Sequence, residues 1–357
     1  MSERKSVHGR GAADNPKNRF ERLAYEPEAE PPWDGDVPVP LTQLYRDTTR
    51  SVIARNDSPD IPFSASVNPY RGCEHGCIYC YARPTHEYLG FSAGLDFETK
   101  ILVKTDAARL LRRELESPRW VPQVVALSGV TDPYQPIERK LRVTRSVLEI
   151  LAEFRNPVTI ITKNHLVTRD VDLLASLAQD DAVTVNVSIT SLNEKLQRVM
   201  EPRTSIPKRR LAAVGTLAAA GIPVRVLVAP VIPGLTDHEI PAILAAAAKA
   251  GARDASWVML RLPYGVKDLF EDWLGRHFPE RREKVLGRIR EVRDGRLNVP
   301  EFGVRMRGKG ELAAQIGALF QAARKKARLP QDLPALSTAA FRRPAPHGQL
   351  GLFGEAS

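Results

Sequence analysis

Cysteine occurs three times in this chain of 357 residues, in the single segment Cys73-Glu-His-Gly-Cys77-Ile-Tyr-Cys80. Sulfur confined to one C-x3-C-x2-C stretch points to one inorganic site. A cubane iron–sulfur cluster takes four thiolates, so three protein ligands leave one iron open to a ligand that is not protein. Disulfides are disfavoured, because the count is odd and the polar segment from Met1 to Arg22 lacks the apolar core of a secretory signal. A structural zinc site made of the three thiolates with His75 or His86 is the competing assignment, since Cys3His is a common zinc set.

The flanks of the cysteines separate these assignments. Tyr79 stands directly before the last cysteine, with Asn68-Pro-Tyr-Arg-Gly72 on one side and Tyr81-Ala-Arg83 on the other. Cys73, Cys77, Tyr79 and Cys80 resemble the C-x3-C-x-aromatic-C motif of radical S-adenosylmethionine (SAM) enzymes. The stretch Asn68 to Ala82 is similar to the branch related to spore photoproduct lyase. That resemblance implies a [4Fe-4S] cluster whose open iron binds the amino and carboxylate groups of SAM. It also implies an external one-electron reductant, cleavage of SAM to methionine and a 5′-deoxyadenosyl radical, and hydrogen abstraction from a substrate. The cofactor carries such chemistry, while the protein orients it and excludes water.

Positioning falls to alternating β-rich and helical runs, the pattern of β-α units and a parallel sheet. Strands are predicted at Phe63 to Val67, Val124 to Ser128, Val158 to Thr162, Val183 to Ile189, Val224 to Val231 and Ser256 to Arg261. Helices are predicted at Asp106 to Glu116, Thr144 to Phe154, Arg169 to Ala178, Lys208 to Ala220 and His238 to Ala250. Six such units match the α/β partial (β/α)6 TIM-like barrel of the radical SAM type that the resemblance implies, with N- and C-terminal extensions. The expected divisions are 1–58, a poorly packed and partly disordered extension in which Trp33 and Tyr45 dock; 59–310, the barrel; 311–328, a helix; and 329–357, a flexible tail. Asp96 to Lys104 is either an additional strand or an extended loop. The cysteines then lie just after the first strand, at the carboxyl-end rim where barrels place their chemistry.

Polar residues at the later strand ends are the candidates for SAM. Ser128 and Gly129 end the second predicted strand, Lys163 the third, and Ser188 with Thr190 the fourth. In the resembling family the turn after the second strand serves the amino group, a lysine after the third the carboxylate, and a serine after the fourth completes the set. Ordinary loop capping is the alternative for each, although a lone Lys163 after Ile160-Ile161-Thr162 needs an anion. Val231-Ile-Pro-Gly234 resembles the family's adenine-supporting turn, where Gly234 would let backbone approach a planar ring, with the backbone of Tyr79 on the other side.

The loop Thr131-Asp-Pro-Tyr-Gln-Pro-Ile-Glu138 is rigidified by two prolines and dense in polar groups. Asp132 and Gln135 are candidate substrate contacts and Tyr134 a candidate hydrogen-atom relay, against the alternative of a rigid self-capped turn. Arg203, in Glu201-Pro-Arg203, could grip a phosphate or carboxylate or pair with Glu201. Spore photoproduct lyases return hydrogen from a cysteine near the end of the second strand, where this chain has Leu127. The cysteine count also excludes a second cysteine-ligated cluster. The remaining radical SAM alternatives are a small-molecule or protein substrate, and the non-catalytic alternative is a DNA-associated module with structural zinc.

A net charge of +10 and a pI near 9.6 favour a polyanionic partner such as nucleic acid. The basic stretches Arg276 to Arg296 and Arg324 to Arg328 are either that surface or solvated helix faces. No apolar run has membrane-spanning length, and a cytoplasmic location is expected. Beyond a Pro-rich linker, Gln349-Leu350-Gly-Leu352-Phe353 is similar to the peptide by which bacterial repair proteins dock on the sliding clamp. Leu352 and Phe353 would fill an apolar pocket with Gln349 at its edge, or the tail folds back on the barrel.

Overall fold

The computed structural model describes residues 6–20, 40–329, 333 and 335–344. Two short strands, β1 (Gln43–Arg46) and β2 (Ile53–Arg55), precede β3 (Ala65–Val67), β4 (Tyr70–Arg71) and β5 (Lys100–Val103). Then come β6 (Val125–Leu127), β7 (Val158–Thr162), β8 (Val183–Ser188), β9 (Val224–Val231) and β10 (Asp254–Met259). The main sheet runs β10-β9-β8-β7-β6-β3-β2. Its members from β3 to β10 are parallel and follow chain order, with β2 antiparallel on the outer edge. This is the α/β partial-barrel order, and the six parallel strands lie where the β-rich runs place them.

Valine-rich strands suit this setting because a parallel sheet is covered on both faces. β8 is buried along its whole length, and its one amide, Asn186, donates to Thr159 Oγ1 at 2.8 Å and to the Ile160 carbonyl at 2.9 Å. Helices Val143–Glu153, Val171–Gln179, Pro207–Ala219 and Ile240–Lys249 follow β6, β7, β8 and β9 in turn. Pro207 opens its helix at a position where the missing N–H costs nothing. The helix Gly310–Lys326 packs on Ile240–Lys249.

The segment Asp96 to Lys104 resolves into both of its alternatives, a short helix Leu95–Thr99 running into β5. β5 pairs with β1 and β4 in a second, three-stranded sheet. Residues 6–20 differ from the loosely packed extension expected of them: Ala12 and Asn18 are buried, and Asn15 bonds Asp96 both ways, at 2.8 and 3.0 Å. Tyr45 sits in β1 with its ring 5.7 Å from that of Phe91, whereas Trp33 lies outside the described residues. No helix among the described residues is long and apolar enough to cross a membrane.

Candidate active site

The cysteines occupy two consecutive tight turns beyond β4. Gly76 N–H donates to the Cys73 carbonyl at 3.4 Å and Cys80 N–H to the Cys77 carbonyl at 3.1 Å, while Cys73 N–H is held by Phe97 at 2.9 Å. Cys73 and Cys77 are buried and Cys80 half-buried. Burial pushes all three thiols up, with Asp132 adding to this at Cys73 and Glu201 at Cys77, and Arg83 opposing it at Cys80. Three buried thiolates in one loop are stable only against a strongly cationic centre.

His75 is not free to complete a zinc site. Its Nδ1 lies 3.3 Å from Asp132 and its Nε2 3.1 Å from the Asn164 amide. His86 places Nε2 2.9 Å from the Lys100 carbonyl and packs its ring against Phe91 and Phe97. Among the described residues no three Cys, His, Asp or Glu side chains gather as the ligand set of a single ion. Thiolates of a cubane each take a different iron and need no such common focus. The donor set therefore suits a cluster with one open corner better than zinc.

Two buried braces hold this loop. Arg83, fully buried, donates to the carbonyls of Cys77 (3.0 Å), Gly76 (3.3 Å), Ala93 and Gly94 (both 3.0 Å), and pairs with Glu98 at 2.5 Å. Glu98 also accepts the Gly11 and Ala12 amides at 3.0 and 2.9 Å. The second brace is the loop 131–138. Thr131 and Gln135 donate to the Gly72 carbonyl at 2.7 and 3.3 Å, Gln135 Oε1 accepts the Glu74 amide at 2.8 Å, and Glu74 accepts the Ile137 amide at 2.6 Å.

This second brace engages the side chains expected to meet substrate or relay hydrogen. Gln135 is fully buried and spends its amide on the cysteine loop. Asp132 accepts from Thr162 Oγ1 and the Lys163 amide at 2.7 and 2.8 Å. Burial opposes its charge, but His75 and these donors hold its carboxyl below its ordinary value. Tyr134 is also fully enclosed: its hydroxyl donates to Asp170 at 3.1 Å within a network with Arg145, Arg169 and Glu138. The two prolines, then, stiffen a clamp.

Across the mouth, Lys163 finds its anion within the chain. Its ammonium lies 3.6 Å from Glu201 and donates to the Ala229 carbonyl at 2.8 Å. Glu201 is buried against Arg210, the Tyr79 hydroxyl and Thr190 Oγ1. Burial disfavours its charge, yet Arg210 and Lys163 with these hydrogen bonds bring its carboxyl down to about 2. Arg203 pairs with Glu74 at 3.1 Å, not with Glu201, and so faces the cysteine loop. The ring of Tyr79 shares an apolar cluster with Cys77, Ile232 and Leu235, which brings the turn after β9 to the cysteines.

Ser128 and Gly129 also meet the loop. Ser128 has a φ of 126°, a strained value for a non-glycine residue, and donates to the Thr131 carbonyl at 2.7 Å. The following Val130 packs, as Cys80 does, against the cluster of Cys73, Ala82 and Phe97. Ser188 is buried at the end of β8, its carbonyl taken by Arg210 at 3.0 Å. Gly234 sits in the turn after β9 with a φ of 78°, and a Cβ there would lie in ordinary contact with Arg288 Cγ, 3.4 Å away, on the helix Arg282–Glu291. The basic stretch around that helix is largely self-paired, Arg276 with Asp272, Arg282 with Glu271, and Arg288 with Glu291. A cavity of about 610 Å³ bounded by Tyr45, Arg142, Arg145 and Glu149 lies apart from the cysteines and their braces.

Two residues at the mouth escaped the sequence reading. Tyr81 is 48 % exposed, directly beyond Cys80, with its hydroxyl on the Gly129 carbonyl at 2.6 Å. The guanidinium of Arg261, just past β10, lies 4.9 Å from the centre of its ring. The available signal was Tyr81 itself, an aromatic in the motif's flank.

A cysteine loop held at the carboxyl ends of parallel strands in chain order defines the class. The family model described as the radical SAM superfamily matches residues 67–247, and the chain belongs to that superfamily. It is a radical SAM enzyme, of a superfamily that uses a [4Fe-4S] cluster and SAM. An uncharacterised protein of Mycobacterium tuberculosis is 42 % identical over 234 residues, covering 65 % of this chain and 68 % of that protein. A radical SAM Nα-GlyT isomerase of Pseudomonas phage M6 is 24 % identical over 201 residues, covering 56 % of this chain and 40 % of that protein. A solved structure of a spore photoproduct lyase mutant, with bound AdoMet and dinucleoside spore photoproduct, shares the fold. Its TM-score is 0.53 at 16 % identity, over 79 % of this chain and 78 % of that one.

Proposed function

We propose that this chain is a cytoplasmic radical SAM enzyme that acts on nucleic acid, removing hydrogen from a damaged or modified nucleoside. The observation that carries this is the chemistry of the mouth: a solvent-facing Tyr81 under Arg261, beside the cysteine loop, in a chain of net charge +10. The dinucleoside held by the structural neighbour supports the same substrate class.

Cys73, Cys77 and Cys80 would hold the cluster, and Ser128, Gly129, Lys163, Ser188 and the turn at Gly234 would line the SAM site with the Tyr79 backbone. When bound, these groups supply a carbon-centred radical. The chain's own residues do the remainder. Arg83 and Gln135 fix the loop, Glu201 orients Lys163 and Tyr79, and Ile232 and Leu235 keep water from the Tyr79 wall. The burial of Leu127 and Tyr134 favours a route of hydrogen return that passes through neither.

Anaerobic reconstitution with iron and sulfide analysis, followed by SAM cleavage under reducing conditions, tests the cofactor assignment; a colourless protein with stoichiometric zinc overturns it. Transfer of deuterium from labelled oligonucleotide lesions into 5′-deoxyadenosine tests the substrate. SAM cleavage without transfer from any nucleic acid overturns that part alone. The same proposal takes Gln349, Leu350, Leu352 and Phe353, which lie outside the described residues, as a docking peptide for the sliding clamp. Deleting residues 349–353 then abolishes capture by the clamp, and unchanged capture removes this partner.

A further inference from the structure

We infer that Tyr81, Arg261, Phe302 and Arg305 form a landing site for an unpaired stretch of nucleic acid beside the cysteine loop, an inference that rests on the nucleic-acid reading above and gives it a location. Two cation–aromatic pairs stand at the exit of β10. Arg261 covers Tyr81 at 4.9 Å, and Arg305 covers Phe302 at 4.4 Å. Both rings face solvent, Tyr81 at 48 % exposure and Phe302 at 56 %. Their supports are fixed: Tyr81 by its hydroxyl on Gly129, and the Phe302 turn by Asp60, which accepts the Gly303 amide at 2.7 Å and pairs with Arg305 at 2.5 Å.

Charge around this exit is unbalanced. Arg261, Arg293 and Arg305 converge on it, and among the described residues Asp60 is the carboxylate that pairs with any of them. Arg293 donates through both terminal nitrogens, and Arg307 through one, to backbone carbonyls, which do not neutralise the charge. Arg261 has no ion pair among the described residues, and its guanidinium meets Met306 Sδ at 3.8 Å. Burial pushes that guanidinium below the usual arginine range, and Arg305 adds to this. A half-buried cation without a counter-charge calls for an anion. The planar fork of arginine suits a phosphodiester.

A single ligand meets both demands. Exposed rings stack on base faces, which a paired duplex hides and an unpaired strand presents, while the guanidinium groups take the intervening phosphates. Because Tyr81 directly follows Cys80, a base stacked there lies at the opening of the cysteine loop.

The test is fluorescence anisotropy with the full chain and a labelled single strand of about 12 nucleotides, competed by the matching duplex, a mononucleotide and inorganic phosphate. Wild type is expected to prefer the single strand. Arg261→Gln and Phe302→Ala should each weaken it by roughly tenfold, with Arg261→Gln also lowering the salt slope by about one. Phe302 is exposed, so its variant keeps the fold and controls for any damage at Arg261. Wild type binding with both variants unchanged overturns this site and leaves the nucleic-acid reading standing. Displacement by inorganic phosphate as effective as by the single strand, or preference for the duplex, overturns the stacking role. No binding by wild type at low salt overturns the nucleic-acid reading together with the site.

Discussion

Arg83 and Arg261 both stand against the cysteine segment, and the fold treats them oppositely. Arg83 is fully buried, donates to four backbone carbonyls and is neutralised by Glu98. Arg261 lies over an exposed tyrosine with no carboxylate paired to it among the described residues. A fully buried charge whose partner comes from the same chain belongs to the scaffold. A charge left unbalanced at the mouth is available to a ligand. The same division separates the buried pair of Glu201 and Arg210 from Arg261 at the exit of β10.

Breaking the buried side of this comparison has the largest effect. Arg83→Leu strands Glu98 without its counter-ion and should cost about 3–5 kcal/mol. Urea unfolding and iron retention after reconstitution should fall together; iron loss at unchanged stability would assign Arg83 to the cluster alone. Next comes Glu201, whose folded value of about 2 lies below its ordinary 4.5. A depressed carboxylate contributes stability above pH 4.5 that is lost as pH falls toward 2, on the order of 3 kcal/mol. Glu201→Gln should be less stable at neutral pH and lose less between those limits in acid unfolding curves. Curves parallel to wild type would refute the coupling.

Smaller effects separate scaffold from chemistry inside the loop 131–138. Gln135→Ala leaves the buried Glu74 amide without its partner, costing about 1–3 kcal/mol and lowering cluster occupancy, which iron analysis reads. Tyr134→Phe removes one hydrogen bond to Asp170, about 1 kcal/mol, and leaves the rate of SAM cleavage and hydrogen transfer unchanged. A selective loss of hydrogen transfer in that variant would return Tyr134 to the chemistry. At the exposed end, Phe302→Ala should shift stability by no more than about 0.5 kcal/mol in thermal melts, because its ring has little of the core to lose.

The scaffold was the part most readable from sequence. Buried parallel strands must be continuous apolar runs, so β7 and β9 fall at Val158–Thr162 and Val224–Val231 as their valines and isoleucines indicate. The small sheet was hidden because β5 begins where the helix Leu95–Thr99 ends, without an intervening turn signal. The segment 6–20 was hidden for another reason: its order comes from Glu98 and Asp96 far along the chain, and such bonds leave no periodicity. At the site, the cysteines and the polar strand ends could be named, but their partners could not. Arg203 had a carboxylate two positions away and chose Glu74, because backbone geometry, not proximity in sequence, decides which charges meet. Lys163 was recognised as a cation in need of an anion, and the anion proved to be Glu201, on the residue that caps the helix Glu194–Met200.

Residues 11 and 12 give the metal centre a dependence on distant chain. Their amides share Glu98 with Arg83, and Gly11 lies so close to the cysteine turn that a Cβ there would meet the Gly76 carbonyl oxygen at 2.0 Å. A protease cut or trimming between residues 12 and 20 would leave every cysteine and every parallel strand in place, yet uncover the turn that carries them. Tolerance to air, and with it the brown colour that survives on a column, should therefore track the integrity of the first twenty residues as closely as that of the motif itself.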